Sequence, residues 1–172
     1  PDNIGPKAAD QTMVTRHLVE RVPEHFGSFR PVAALAAAER DPLANLCNFM
    51  AYLYWTVGDV NWVGLYLLRG GELVLGPFAG KPACSRLAPG KGVCGAAVRA
   101  GKSQLVPDVR AFPGHIACDD ASRSELVVPL TVGGRTWGVL DLDSPEPARF
   151  DETDRAALEK IAAQIEAQAA RL

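Results

Sequence analysis

The chain has no C-x-x-C pair, no run of basic residues and no long uninterrupted apolar stretch. Each absence excludes something. Without a C-x-x-C pair, neither a zinc knuckle nor a thioredoxin-type redox site is written here. With a net charge of −2 and no basic block, binding to nucleic acid or to an anionic membrane has no electrostatic support. No apolar run approaches the ~20 residues of a membrane span. The N-terminus lacks a basic segment followed by an apolar one, so no secretory signal is expected. Four cysteines in 172 residues are too few for a disulfide scaffold, which points to a reducing cytoplasm with reactive or buried thiols. Hydrophobic residues make up 48% and charged residues 22%, the balance of a globular domain long enough to bury a core.

The coarse pattern runs from helices to strands to a helix. Residues 1–40 read as an N-terminal extension, partly helical, with a short helix over Met13–Val22, a turn between Pro23 and Pro31 and an Ala-rich stretch over 32–40. Residues 41–172 read as one domain. Asp41-Pro42 is an N-cap followed by proline at the first helical position. Leu43, Leu46, Cys47, Met50, Leu53 and Tyr54 then recur at helical spacing, which places Cys47 in the core. Asn61–Leu68 reads as a strand, Arg69-Gly70-Gly71 as a turn, and Glu72–Leu75 as a hairpin partner. Residues 76–92 read as a long loop, Val93–Arg99 as a short helix, Ser103–Val106 as a strand and 107–124 as a second loop. Leu126–Val132 and Thr136–Asp143 are strands joined through Gly133-Gly134. Asp151 caps a last helix whose inner face is Leu158, Ile161, Ala162 and Ile165. The fold class is α+β with a central antiparallel sheet, not a βαβ alternation.

Side chains alternate across a strand. Val63, Leu65 and Leu67 share one face, and Trp62, Gly64 and Tyr66 the other. Leu140 and Leu142 share a face, and Val139, Asp141 and Asp143 the opposite one. The terminal helices are expected on the aliphatic face. Aromatics and acids would line a pocket on the other, capped by the long loops. Glu125 joins those acids only if the last hairpin shifts register by one. A strict two-residue turn would pair it with Leu142. A three-residue loop through Arg135 or a bulge near Pro129 supplies the shift, which is the reading adopted.

Three cysteines, Cys84, Cys94 and Cys118, precede Glu125, Asp141 and Asp143. Thiol redox chemistry on a small substrate needs this combination: a thiolate to attack, a carboxylic acid to give a proton, and a second thiol to regenerate the first. Glu125 is the candidate acid, and Asp141 and Asp143 are candidates for binding an ammonium group. Polar neighbours set Cys118 and Cys84 apart from core cysteines. Cys94, at a helix N-terminus, is expected to have a lowered thiol pKa. Trp62 and Tyr66 offer aromatic surface, either to a thioether or to the core. His115 reads as a surface-loop histidine. Arg123 reads either as solvated or as a carboxylate partner, a role that backbone N–H groups of the glycine-rich loop could also fill. Gly90-x-Gly92-x-x-Gly95 spells a dinucleotide fingerprint but follows no strand of a βαβ unit, so that reading is rejected.

Asn61–Leu68, PGKGVCG (Pro89–Gly95), ACDDASRSELVVPL (Ala117–Leu130) and WGVLDLDS (Trp137–Ser144) resemble segments of a GAF domain. With three cysteines at these places, the chain resembles more narrowly the free methionine-(R)-sulfoxide reductases, over roughly residues 40–165. The resemblance implies an oxidoreductase that reduces free L-methionine-(R)-sulfoxide through a cysteine sulfenic acid and an intramolecular disulfide. It also implies recycling by thioredoxin, no bound cofactor or metal, and often a homodimer. Within it, Cys118 is the nucleophile, Cys84 the resolving thiol and Cys94 an accessory or alternative resolving thiol. The carboxylates line the substrate site, with Trp62 near the substrate methyl. Two other readings compete: a GAF small-molecule sensor, and a redox switch or zinc site built from Cys84, Cys94, Cys118 and His115.

Overall fold

A computed structural model describes residue 36 and residues 39–116 and 118–172. The helix expected over residues 13–22, the turn over 23–31 and most of the stretch over 32–40 lie outside these. So does nearly all of the expected N-terminal extension.

The first helix, α1, spans Pro42–Thr56. The Asp41 carboxylate accepts from the Leu43 and Ala44 amides at 2.8 and 3.0 Å, and Pro42 occupies a position whose N–H would have no helical partner. Strands β1 (Trp62–Arg69) and β2 (Glu72–Gly80) form a hairpin, followed by the short β3 (Arg86–Leu87). Helix α2 is Gly92–Ala100 and strand β4 Gln104–Val106. A 3-10 turn at Val109–Ala111 leads into β5 (Ser124–Val132), then β6 (Arg135–Ser144). Helix α3 is Glu152–Ala169, closed at its start by a reciprocal capping box between Asp151 and Asp154. The strands form one sheet in the order β3-β2-β1-β6-β5-β4, with every pairing antiparallel.

Two layers pack on this sheet. On one face Leu46, Phe49, Met50 and Leu53 of α1 and Leu158, Ile161, Ala162 and Ile165 of α3 meet Val63, Leu65, Leu126, Val128, Leu140 and Leu142. On the other, Val93, Cys94 and Ala97 of α2 meet Trp62, Tyr66, Val127 and Val139. The alternation expected for β1 and β6 holds strand by strand.

Three expectations change. Residues 76–92 are not all loop, because β2 continues to Gly80 and β3 follows. The glycines and proline that suggested a loop instead make a bulge: Gly64 pairs with Phe78 but Tyr66 with Leu75, which leaves Gly76 and Pro77 opposite Leu65. Proline cannot donate to a ladder and fits where pairing is already broken. Second, Cys47 is exposed. The buried stripe of α1 is Asn45, Leu46, Phe49, Met50 and Leu53, and Cys47 sits to one side of it with half-exposed Leu43. Third, β5 starts two residues early, at Ser124, so that Glu125 is a strand residue.

The register shift in the last hairpin is present. Val132 pairs with Arg135 across Gly133-Gly134, and Thr131 with Thr136, but Leu130 pairs with Gly138. Trp137 is the extra residue, one position beyond Pro129. Gly138 has no side chain, which lets β6 approach the Tyr66 carbonyl. Beyond the bulge Glu125 pairs with Asp143, and the three acids share one face.

Candidate active site

The polar face opens into a narrow cavity. Its floor is Trp62 and Tyr66 from β1, Glu125 from β5 and Asp141 and Asp143 from β6. Its walls include Cys94 of α2, Lys81–Ala83, His115, Ile116 and Cys118. The eight residues read from the sequence as catalytic or substrate-binding converge here: seven line the cavity, and the eighth, Cys84, is disulfide-bonded to the lining Cys118.

Their placement follows from local structure. Trp62 stacks on Tyr66 and on Phe78, with centroids 5.7 Å apart in each pair. The stack needs Gly64, because a Cβ there would overlap the Trp62 ring and the Phe78 side chain. Gly95 plays a similar part in α2: any side chain on it would collide with the Gly90 backbone, so the glycine-rich segment folds against the helix. The Tyr66 hydroxyl donates to the Cys84 carbonyl at 3.0 Å, tying the thiol-bearing loop to the sheet. Cys84 and Cys118 form a disulfide with their Cα atoms 5.6 Å apart. Asp119, next to Cys118, pairs with Lys81 at 3.3 Å and accepts from Asn61 at 3.3 Å.

Beneath the disulfide the electrostatics are unusual. Glu125 and Asp141 are each 5% exposed. Burial raises the pKa of Glu125 well above the carboxylate range, and the neighbouring Asp141 and Asp143 raise it further. Burial raises Asp141 to about 7, opposed by the hydrogen bonds it accepts from Cys94 and Glu125. Asp143 is also raised, mainly by burial and then by Asp141. The arrangement is a protonated Glu125 donating to Asp141, which also accepts from the Cys94 thiol at 3.3 Å. Two hydrogen-bonding atoms of this floor have no partner: Trp62 Nε1 and Asp141 Oδ1. A buried donor and a buried acceptor without partners, on residues that line a cavity, are candidates for contact with a ligand.

Cys94 departs from expectation. It does sit at the start of α2, but its thiol pKa is raised well above normal, by burial first and then by Asp141 and Glu125. Desolvation and two acids outweigh the helix macrodipole. His115 is also corrected: it is no surface-loop residue but lines the cavity, its Nδ1 3.9 Å from Glu125 Oε2. Burial lowers its pKa. The lowered imidazole and the raised Glu125 carboxyl both work against an ion pair between them. The sequence signal was its position three residues before Cys118. Arg123 is engaged by Asp108 at 3.0 Å and does not line the cavity. Lys91 and the N-terminal residues of α2 do.

Fold and site together define a class: a GAF-type sheet whose ligand cavity carries a thiol pair above buried acids. The family model described as GAF domain matches residues 16–169. Within that class the chain belongs to the free methionine-R-sulfoxide reductase family. It is 50% identical over 137 residues to the free methionine-R-sulfoxide reductase of Escherichia coli, covering 80% of this chain and 83% of that protein. To the Saccharomyces cerevisiae free methionine-R-sulfoxide reductase it is 44% identical over 128 residues, covering 72% and 71%. The crystal structure of the Neisseria meningitidis free methionine-R-sulfoxide reductase, in complex with its substrate, superposes with a TM-score of 0.78 at 47% identity, covering 81% of this chain and 86% of that one. Among the described residues no helix is long and apolar enough to cross a membrane.

Proposed function

We propose that this chain is an oxidoreductase that reduces free L-methionine-(R)-sulfoxide to L-methionine. The observation that carries the reading is the single cavity that joins the Cys84–Cys118 pair to the buried Glu125–Asp141–Asp143 cluster.

A sulfoxide oxygen leaves poorly until it is protonated. Glu125, holding its proton near neutral pH, supplies one. The Cys118 thiolate attacks the sulfoxide sulfur; the protonated oxygen passes to the cysteine as sulfenic acid, and methionine departs. Cys84 then attacks the Cys118 sulfenic sulfur, forming the S–S bond and expelling water. An external dithiol, thioredoxin in this reading, takes the disulfide back to two thiols, so no bound cofactor is needed. A reducing cytoplasm suits that cycle.

Recognition follows the lining. Asp141 Oδ1, without a partner, and Asp143 suit the substrate ammonium. Trp62 and Tyr66 offer an aromatic surface to the methyl and thioether. Lys91 and the positive end of α2 suit the substrate carboxylate. The 3.3 Å contact between Cys94 and Asp141 supports an accessory role for Cys94, orienting the acids, with Cys84 resolving. A homodimer, which the family resemblance implies, is the assembly that goes with this reading.

The test is consumption of free methionine sulfoxide, resolved by epimer, with a dithiol reductant. Wild type should consume the R-epimer alone, and Cys118→Ser should lose at least ~10³-fold in kcat, as expected for removing a nucleophile. A folded, reduced wild type that consumes neither epimer would sink the reading and leave a ligand sensor in its place.

A further inference from the structure

We propose that the floor of this cavity is also a zinc site, formed by Cys94, Glu125 and Asp141. It differs from the zinc site considered from the sequence, which relied on Cys84 and Cys118, two residues now joined to each other. It gives the buried Cys94 thiol a second role beside that of orienting the acids.

One ligating atom from each of these three residues lies within 4.8 Å of those of the other two, and all three side chains are buried. Cys94 Sγ is 3.3 Å from Asp141 Oδ2 and 3.9 Å from Glu125 Oε1. Around a tetrahedral zinc, with Zn–S of about 2.3 Å and Zn–O of about 2.0–2.2 Å, a sulfur–oxygen edge is about 3.6 Å. The observed separations bracket that edge, so modest side-chain adjustment would close the shell. A second observation points to a ligand independently: Asp141, 5% exposed and lining the cavity, has Oδ1 without any hydrogen-bond partner. His115 Nδ1, 3.9 Å from the other oxygen of Glu125, or a water in the cavity can complete four-coordination. One thiolate, two carboxylates and an adjacent imidazole are a donor set for zinc. Magnesium and calcium prefer oxygen alone and higher coordination numbers.

Binding exchanges protons for metal: Zn²⁺ enters, and the Cys94 thiol and any protonated carboxyl release H⁺ to solvent. A metal held there occupies the acids assigned above to substrate. Zinc and methionine sulfoxide should therefore exclude each other. That competition rests on the reductase reading, whereas the metal site does not.

The experiment uses the full chain oxidised to the Cys84–Cys118 disulfide, so that neither of those thiols can ligate. Zn²⁺ is titrated calorimetrically into wild type, Cys94→Ser and Cys47→Ser, with Mg²⁺ as control. Co²⁺ serves as the spectroscopic probe on wild type. Expected are one Zn²⁺ per chain, a cobalt–thiolate charge-transfer band, at least ~100-fold weaker binding in Cys94→Ser and no change in Cys47→Ser. Absence of the band in folded wild type, or equal zinc binding in Cys94→Ser, overturns the site whatever the variant's stability. Methionine sulfoxide should weaken the zinc titration. Strong zinc binding indifferent to methionine sulfoxide would retain the metal site but overturn the competition, and with it the placement of substrate on these acids.

Discussion

The two faces of the sheet use the same strands to opposite ends. On one, alternate residues of β1, β5 and β6 are Val63, Leu65, Leu126, Val128, Leu140 and Leu142, closed under α1 and α3. On the other, the intervening positions hold Trp62, Tyr66, Glu125, Asp141 and Asp143 beneath α2 and two loops. The aliphatic face gains from every buried side chain, at about 1.5–3 kcal/mol for a fully buried Leu or Val. The polar face instead spends stability on buried acids, which escape the cost of a buried charge by keeping protons. In the proposed reaction those same protons are what sulfoxide reduction consumes, which would locate the chemistry where the fold is least favourable. The firm face makes that tolerable.

Variants on each face should separate these roles. The largest effect is expected from Glu125→Gln, which keeps the size of the side chain but removes its acid. The kcat should fall by ~10²–10³ with a native-like melting temperature. Wild-type kcat should decline as pH rises through the raised carboxyl range and deprotonates the acid, and the variant should lack that limb. A pH–rate profile for both proteins checks it.

Leu140→Ala, on the closed face, should do the converse. It should cost ~2–5 kcal/mol in denaturant unfolding while leaving turnover per folded molecule near wild type.

Asp141→Asn is expected to give the smallest shift and the most telling sign. Its pKa is about 7 in the folded protein against 3.8 for the isolated group, so the folded state binds this proton more tightly than the unfolded chain does. The resulting stabilisation is complete below pH ~4 and is lost as pH rises through about 7. The uncharged variant should therefore be more stable than wild type at pH 8, by on the order of 1–3 kcal/mol, while binding substrate less well. Unfolding at pH 5 and pH 8 beside KM measurements would show both.

Much of this comparison was legible in the sequence because period-two alternation survives folding. The faces of β1 and β6 could be read directly, and the caps at Asp41 and Asp151 depend only on neighbouring residues. The gathering of the acids also required a one-residue shift, inferred from the need to put Glu125 beside Asp141 and realised by the extra residue Trp137. What stayed hidden depends on distant neighbours. Cys47 has helical spacing with apolar residues on both sides, and only the seating of α1 on the sheet decides that it faces out. Cys94 occupies a helix N-terminus that would favour a thiolate, but the acids raising its pKa come from β5 and β6. His115 looked like a loop residue because nothing local says that its loop folds over Glu125.

The most direct test of the division of labour is a single turnover without reductant. Reduced protein is mixed with excess free methionine-(R)-sulfoxide, and the methionine released and the cysteine pairing are both measured by mass spectrometry. The account predicts one methionine per chain and a disulfide joining Cys84 to Cys118, with Cys94 and Cys47 still reduced. Methionine release with a Cys94–Cys118 disulfide would contradict the assignment of Cys94 as a buried partner of the acids, and no methionine release would contradict the redox chemistry itself.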